Sequence, residues 1–203
     1  MTDPWAFGWT QVFTLSGLVI TVAIAIAGFK TFDKWRREKL EEKRIEVAID
    51  ALALCYEARF IFDGIRSPLA FAGEWEDMPE IGPDAERSQR GAFFATLKRI
   101  RASKDFFDRA WKIQVKCAAL FGSQVEDTFL LMQKVRREIE VSAEMLMHDP
   151  RPQDTSPENQ RLWQKWRNNV WAVTNDDAVS TQLKRLREEI EKLCRPIVDH
   201  GCR

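Results

Sequence analysis

The chain opens on a run without charge and continues as a strongly patterned amphipathic sequence. From Pro4 to Phe29 no Asp, Glu, Lys or Arg occurs over 26 residues. A helix rises about 1.5 Å per residue, so roughly 20 residues cross a hydrocarbon layer of about 30 Å. Residues 10–29 supply that length, and Leu15, Leu18, Val19, Ile20, Val22, Ile24 and Ile26 make it apolar all round. The pattern predicts a membrane-spanning helix over 10–29. Trp5 and Trp9 before it, and Trp35 after it, fall where amphipathic rings favour the headgroup level.

Beyond the span the pattern predicts one long helix over 30–64. Its first part, 30–46, holds seven basic and five acidic side chains in mixed order and reads as a solvated stalk. From Ile45 an apolar face emerges at Ile45, Ile49, Leu52, Tyr56 and Phe60, widened by Ala48, Cys55 and Ala58. Residues 67–91 carry three Pro and three Gly and read as a long loop. Phe71, Trp75 and Met78 in it either bind a partner or lie back over a groove of the body.

Four further helical patterns follow, and none alternates as a strand would. Residues 92–121 place Phe93, Leu97, Ile100, Phe107, Trp111, Val115 and Ala118 on one stripe, and Gly122 offers a stop. Residues 124–147 repeat the period with Val125, Thr128, Phe129, Met132, Val135, Ile139, Ser142, Met145 and Leu146. After the Pro-rich 149–157 segment, Ser156-Pro157 suits an N-cap and first helical residue. The face of that helix carries Leu162, Trp163, Trp166, Val170 and Trp171. Asn175-Asp176-Asp177 reads as a second cap. The last helix carries Val179, Leu183, Leu186, Ile190, Leu193 and Ile197, with Arg195-Pro196 disfavouring helix near its end. The expected fold is all-α: a single N-terminal transmembrane helix, a stalk helix, and an antiparallel bundle of four to five helices over 47–203.

Charge changes the picture in two ways. Lys30, Lys34, Arg36, Arg37 and Lys39 follow the span, whereas residues 1–9 carry only Asp3. The positive-inside rule then puts residues 1–9 outside and the body in the cytoplasm, as in a bacterial inner-membrane protein. A cleaved signal peptide is the competing reading, since Ala23-Ile24-Ala25 and Ala25-Ile26-Ala27 have the small-x-small form; the missing basic n-region weighs against it. Over the whole chain, 31 Lys and Arg balance 31 Asp and Glu, which excludes a chain-wide basic footprint for nucleic acid. Within the span, Gly17, Thr21 and Ala25, with Gly28 close by, form a small-residue stripe on which two such helices could pack.

The chemistry is sparse. His148 and His200 are the two histidines, which excludes a multi-His metal centre. His148 reads as a cation at a helix C-terminus. Cys194, Asp199, His200 and Cys202 make one ragged group at the chain's end, short of a paired zinc site. Cys55 and Cys117 read as buried small hydrophobes, reduced in the cytoplasm. Phosphate-loop, dinucleotide, nucleophile-elbow and zincin motifs are absent from the sequence. The seven cations at 98, 99, 101, 104, 109, 112 and 116, interleaved with Phe106, Phe107 and Trp111, could suit phosphates; a solvated helix face explains them more simply. No catalytic residue, metal or cofactor is assigned.

The layout resembles that of many small bacterial membrane proteins, a likeness that carries no functional residue across. The expected function is a non-enzymatic, membrane-anchored interaction or scaffold protein. Its expected partners are the bilayer and another protein or a second copy of itself, with no nucleic acid or small-molecule substrate evident. Candidate contacts are Phe71, Trp75, Met78, Trp163, Trp166 and Trp171. The alternative is a membrane-associated sensor or an oligomerising, membrane-perturbing effector.

Overall fold

The computed structural model describes residues 8–83, 86–150, 156–172 and 177–201. Asn175, Asp176 and Cys202, and residues 1–7 of the expected 1–9 N-terminal segment, Trp5 among them, lie outside the described residues. Among those described, all regular structure is helical: α1 (Gly8–Ile65), a 3-10 turn (Ala72–Glu74), α2 (Arg87–Ala102), α3 (Lys104–Phe121), α4 (Ser123–His148), α5 (Pro157–Val170) and α6 (Ala178–Gly201). The chain divides into two units at Arg44 and Ile45.

In the first unit every described side chain from Gln11 to Lys43 is exposed. Thr21 Oγ1 donates to the Gly17 carbonyl at 2.8 Å, and Thr31 Oγ1 to Ala27 at 2.9 Å, so both hydroxyls are satisfied within the helix. The stalk carries the ion pairs Lys34–Glu38, Lys39–Glu42 and Arg44–Glu41 at helix-neighbour spacing.

In the second unit α4 is the central element, packing against α2, α3, α5 and α6. Its buried residues follow the helical period from Val125 through Phe129, Met132, Val135 and Ile139 to Leu146, as the sequence pattern predicts. Each large one contributes about 1.5–3 kcal/mol by leaving water. Met145 departs from the expected stripe and is exposed. The main core joins Val125, Phe129, Met132, Val135 and Ile139 to Phe62 and Leu54 of α1, Phe106 and Phe107 of α3, and Leu186 and Ile190 of α6. A smaller cluster holds Phe93 and Leu97 of α2, Ala143 and Leu146 of α4, and Val170.

Four expectations are corrected. First, α1 buries Val47, Ala48, Ala51, Leu54, Cys55, Ala58, Phe62 and Ile65, while Ile49, Tyr56 and Phe60 are exposed. Small Ala and Cys side chains admit close neighbours there, and Tyr56 is drawn to the surface by its hydroxyl, which donates to Glu191 at 2.7 Å and accepts from Arg195 at 3.2 Å. Second, 92–121 is two helices. Ser103 ends α2, its hydroxyl and its N–H both donating to the Arg99 carbonyl, at 2.9 and 3.0 Å. The break resets the buried stripe to Phe106, Phe107, Ala110, Gln114 and Cys117, and leaves Trp111 and Val115 exposed. Third, the loop ends before Arg87 instead of at Gly91. Fourth, α6 continues through Pro196. Pro196 and Lys192, whose carbonyl loses its helical donor, are both exposed, so water can serve the freed group.

The caps follow expectation. Gly122 ends α3 at φ 89°, a left-handed conformation that glycine adopts freely. Ser156 Oγ accepts from the Asn159 N–H, with Pro157 as first helical residue. Asp177 Oδ1 accepts from the Ser180 N–H at 2.8 Å and caps α6.

Candidate interaction surfaces

The region after α1 is an ordered loop, held by one arginine of α2. Arg99 spreads its donors over four groups: both carboxylate oxygens of Glu74 at 2.7 Å, the Ser67 carbonyl at 2.9 Å, the Leu69 carbonyl at 2.6 Å and, at 3.5 Å, the Gly64 carbonyl. Glu74 Oε2 also accepts from the Phe71 N–H at 3.0 Å, and Lys98 Nζ donates to Asp77 Oδ1 at 2.6 Å. The planar guanidinium suits this bidentate task. Trp75 packs flat on Gly91, where an added Cβ would fall 2.5 Å from its Cδ2 atom. Met78 is buried. Of the three candidate loop residues, Trp75 and Met78 thus fold inward, while Phe71 is 72% exposed beside Leu69 at 71%.

The Arg99 hydrogen bonds hold the Glu74 carboxyl below its ordinary pKa, and Lys98 does the same for Asp77. A depressed carboxylate stabilises the fold above the ordinary pKa, about 4, and that contribution is lost as pH falls below it. Replacing Arg99→Met should therefore speed cleavage within 67–83 by tenfold or more, on the order expected when a local unit loses its charged anchor. Limited proteolysis with mass spectrometry reads this, and an acid-stable protease below pH 4 should find the wild-type loop loosened likewise. Unchanged cleavage in R99M would mean the apolar contacts of Trp75 and Met78 suffice.

Trp163, Trp166 and Trp171 come together on the smaller core cluster and are half-buried. Trp171 stacks on Phe93 with centroids 5.0 Å apart, Trp163 Nε1 donates to the Pro150 carbonyl at 3.2 Å, and Arg167 lies over both Trp163 and Trp171. Beside them an open groove of about 920 Å³ runs between α4, α5 and α6, lined in part by Arg137, Arg161, Lys165, Trp166 and Gln182.

The basic run of residues 98–116 is divided between α2 and α3 by the break at Ser103. Lys98, Arg99, Lys104, Arg109 and Lys116 each pair with a carboxylate: Asp77, Glu74, Asp108, Glu57 and Asp50. That leaves Arg101 and Lys112 as the cations of this run without an ion pair among the described residues, a weak footprint for a polyphosphate chain.

Cys55, Cys117 and Cys194 are buried, free thiols of the main core. Burial, with smaller contributions from the neighbouring thiols, pushes Cys55 and Cys117 up to about 12, and burial raises Cys194 to about 11. About one such thiol in a thousand or fewer is ionised at pH 8, so they are poor nucleophiles and poor ligands. Among the described residues no group of three or more His, Cys, Asp or Glu is placed to hold a metal ion. His148 sits in the last turn of α4, but the carbonyls there are taken by Arg90, whose Nη1 donates to Met147 at 2.7 Å and His148 at 3.0 Å.

Sequence reasoning missed the three arginines that tie this unit together. Arg66, 1% exposed, joins the end of α1 to α5 and α6; Arg90 closes α4; Arg99 pins the loop. Nothing in their spacing marks them, since each serves backbone carbonyls distant in sequence. No protein-family model, no curated protein and no solved structure matches this chain.

Proposed function

We infer that the chain is a single-pass membrane protein that acts by binding rather than by catalysis, with residues 45–203 forming a helical bundle in the cytoplasm. The observation that carries the reading is the first part of α1. It is long and apolar enough to cross a membrane, with an 18-residue window of mean hydropathy 2.3 and none of that window buried. An uncovered apolar helix of this length is stable in hydrocarbon and not in water. Exposed Trp9 at one end and exposed Trp35 with Lys30, Lys34, Arg36 and Arg37 at the other suit the two interfaces. The same charges favour residues 1–9 outside and the bundle inside, as in a bacterial inner membrane. Gly17, Thr21, Ala25 and Gly28 leave a small-residue stripe open to a second span, since nothing lies within 4 Å of a Cβ built at Gly17 or Gly28. Anchoring raises the local concentration of the bundle for a partner at the same bilayer. Leu69 and Phe71, presented on a pinned loop, are the surface we assign to that partner.

Topology reporters fused to the C-terminus test the reading. A reporter that works only in the cytoplasm should be active, and one that works only outside should be silent. The reverse pattern would overturn the orientation and turn the body towards an external ligand.

A further inference from the structure

A second cavity, outside the surfaces above, lies between α3 and α4. It holds about 220 Å³ and is lined by Phe107, Trp111, Gln114, Met132, Gln133 and Arg136, among others. Its walls are of two kinds. Phe107 and Met132 are buried and give an apolar floor, and Trp111, 59% exposed, stands at the mouth. The polar side holds Gln114, itself buried, whose Oε1 accepts from Gln133 Nε2 at 3.0 Å. That bond leaves Gln114 with two amide hydrogens and Gln133 with its carbonyl to offer.

The cation decides the chemistry. Arg136 lies with its guanidinium carbon 4.5 Å over the Phe107 ring, half-buried, and its Nε is buried without a hydrogen-bond partner. No carboxylate pairs with it among the described residues. The carboxylate at the rim, Asp108, is engaged by Lys104 Nζ. A buried, unpartnered donor is an exception that calls for a missing acceptor. A guanidinium seated over an aromatic ring still has N–H donors to offer a planar oxyanion.

We propose that this cavity binds a small carboxylate with a compact apolar body, the oxyanion meeting Arg136 and Gln114 and the apolar part resting between Phe107, Met132 and Trp111. Size agrees: an apolar cavity of about 150 Å³ accepts benzene, so 220 Å³ has room for a ring and one carboxylate. The inference is independent of the anchor and would give the bundle a signal to respond to.

The test uses the full chain in nanodiscs of zwitterionic lipid, with benzoate as the probe and benzamide as its uncharged counterpart. Heat of binding is measured against empty nanodiscs. Benzoate should bind saturably, with Kd on the order of 0.1–1 mM as befits nine heavy atoms. Benzamide should bind at least about tenfold more weakly, the share a charge-assisted bidentate contact supplies. Arg136→Met keeps the packing on Phe107 and should remove benzoate binding while leaving the circular dichroism and thermal midpoint unchanged. Trp111→Ala, at an exposed position that does not endanger folding, should weaken it as well. Absence of saturable binding overturns the proposal, and so does equal binding by the wild type and both variants, or by benzoate and benzamide.

Discussion

Replacing Arg66→Ala is expected to cost about 3–5 kcal/mol, the loss seen when one partner of a buried ion pair is removed. A domain of this kind has about 5–15 kcal/mol in all, so the variant would sit near the edge of folding. The size follows from what Arg66 serves. Its Nε and Nη2 donate to the carbonyls of Asn169, Asn168 and Trp171 at 2.9, 2.8 and 3.2 Å, groups that the end of α5 leaves without helical donors. Its Nη1 donates to Ser180 Oγ at 3.3 Å, and Nη2 lies 3.0 Å from Asp177 Oδ2. The Arg66 carbonyl in turn accepts from the Ala172 N–H at 3.0 Å. Alanine would strand a nearly buried carboxylate and three carbonyls together. Lysine keeps the charge but not the planar fork, and should recover only part of the loss. Removing both charges, in Arg66→Met with Asp177→Asn, should be milder than Arg66→Ala alone, because no charge is left buried without a partner. Chemical denaturation of the full chain in micelles, followed by tryptophan fluorescence, reads these differences. A loss under about 1 kcal/mol would mean that water replaces Arg66 without penalty, contrary to its burial.

That junction shows which parts of the molecule were legible in the sequence. Periodicity located the helical stretches of the body, though it merged α2 and α3 into one, because burying one face imposes the spacing. It worked best in α4, where nearly every expected apolar position is buried, since that helix is covered by four others. It failed where size and burial part company. In α1 the expected Ala48, Cys55 and Ala58 are buried, but the bulkier Ile49, Tyr56 and Phe60 are exposed and Ala51 joins the buried face, because helices approach most closely over small side chains. It failed again at Ser103, where a side-chain hydroxyl bonded to the preceding turn ends a helix without Pro or Gly to announce it. The arginine anchors and the α3–α4 cavity were invisible for a different reason. Arg66, Arg90 and Arg99 read as ordinary surface charges until the chain is folded, and the Arg136 cavity needs two helices in register. Trp75 differs: of the two roles its pattern leaves open, partner binding or lying back over the body, the structure places its ring on Gly91 of the body.

For the anchor, sequence and physics together permit a sharper expectation. Val19→Arg with Val22→Arg should prevent membrane insertion. Ten Val, Leu, Ile and Phe residues lie between Val12 and Phe29, and at about −0.3 to −0.6 kcal/mol each they favour insertion by roughly 3–6 kcal/mol. Two central arginines oppose it by about 5–7 kcal/mol, which cancels or exceeds the whole apolar contribution. Snorkelling offers little relief, because Val19 and Val22 sit near the middle of the 10–29 segment and their side chains are too short of either interface. Wild-type chain should stay with the membrane pellet after alkaline extraction, and the doubly substituted chain should leave it. The second unit should be unaffected, since its core draws on no residue before Val47, so the released variant should keep the same protected fragment under limited proteolysis. Retention of the variant in the pellet would mean that the apolar part of α1 is not what holds the protein to the bilayer. Release with loss of the protected fragment would instead mean that the second unit needs the anchor to fold. With release and an intact fragment, the two units are energetically separate, and the first serves to place the second at the membrane surface.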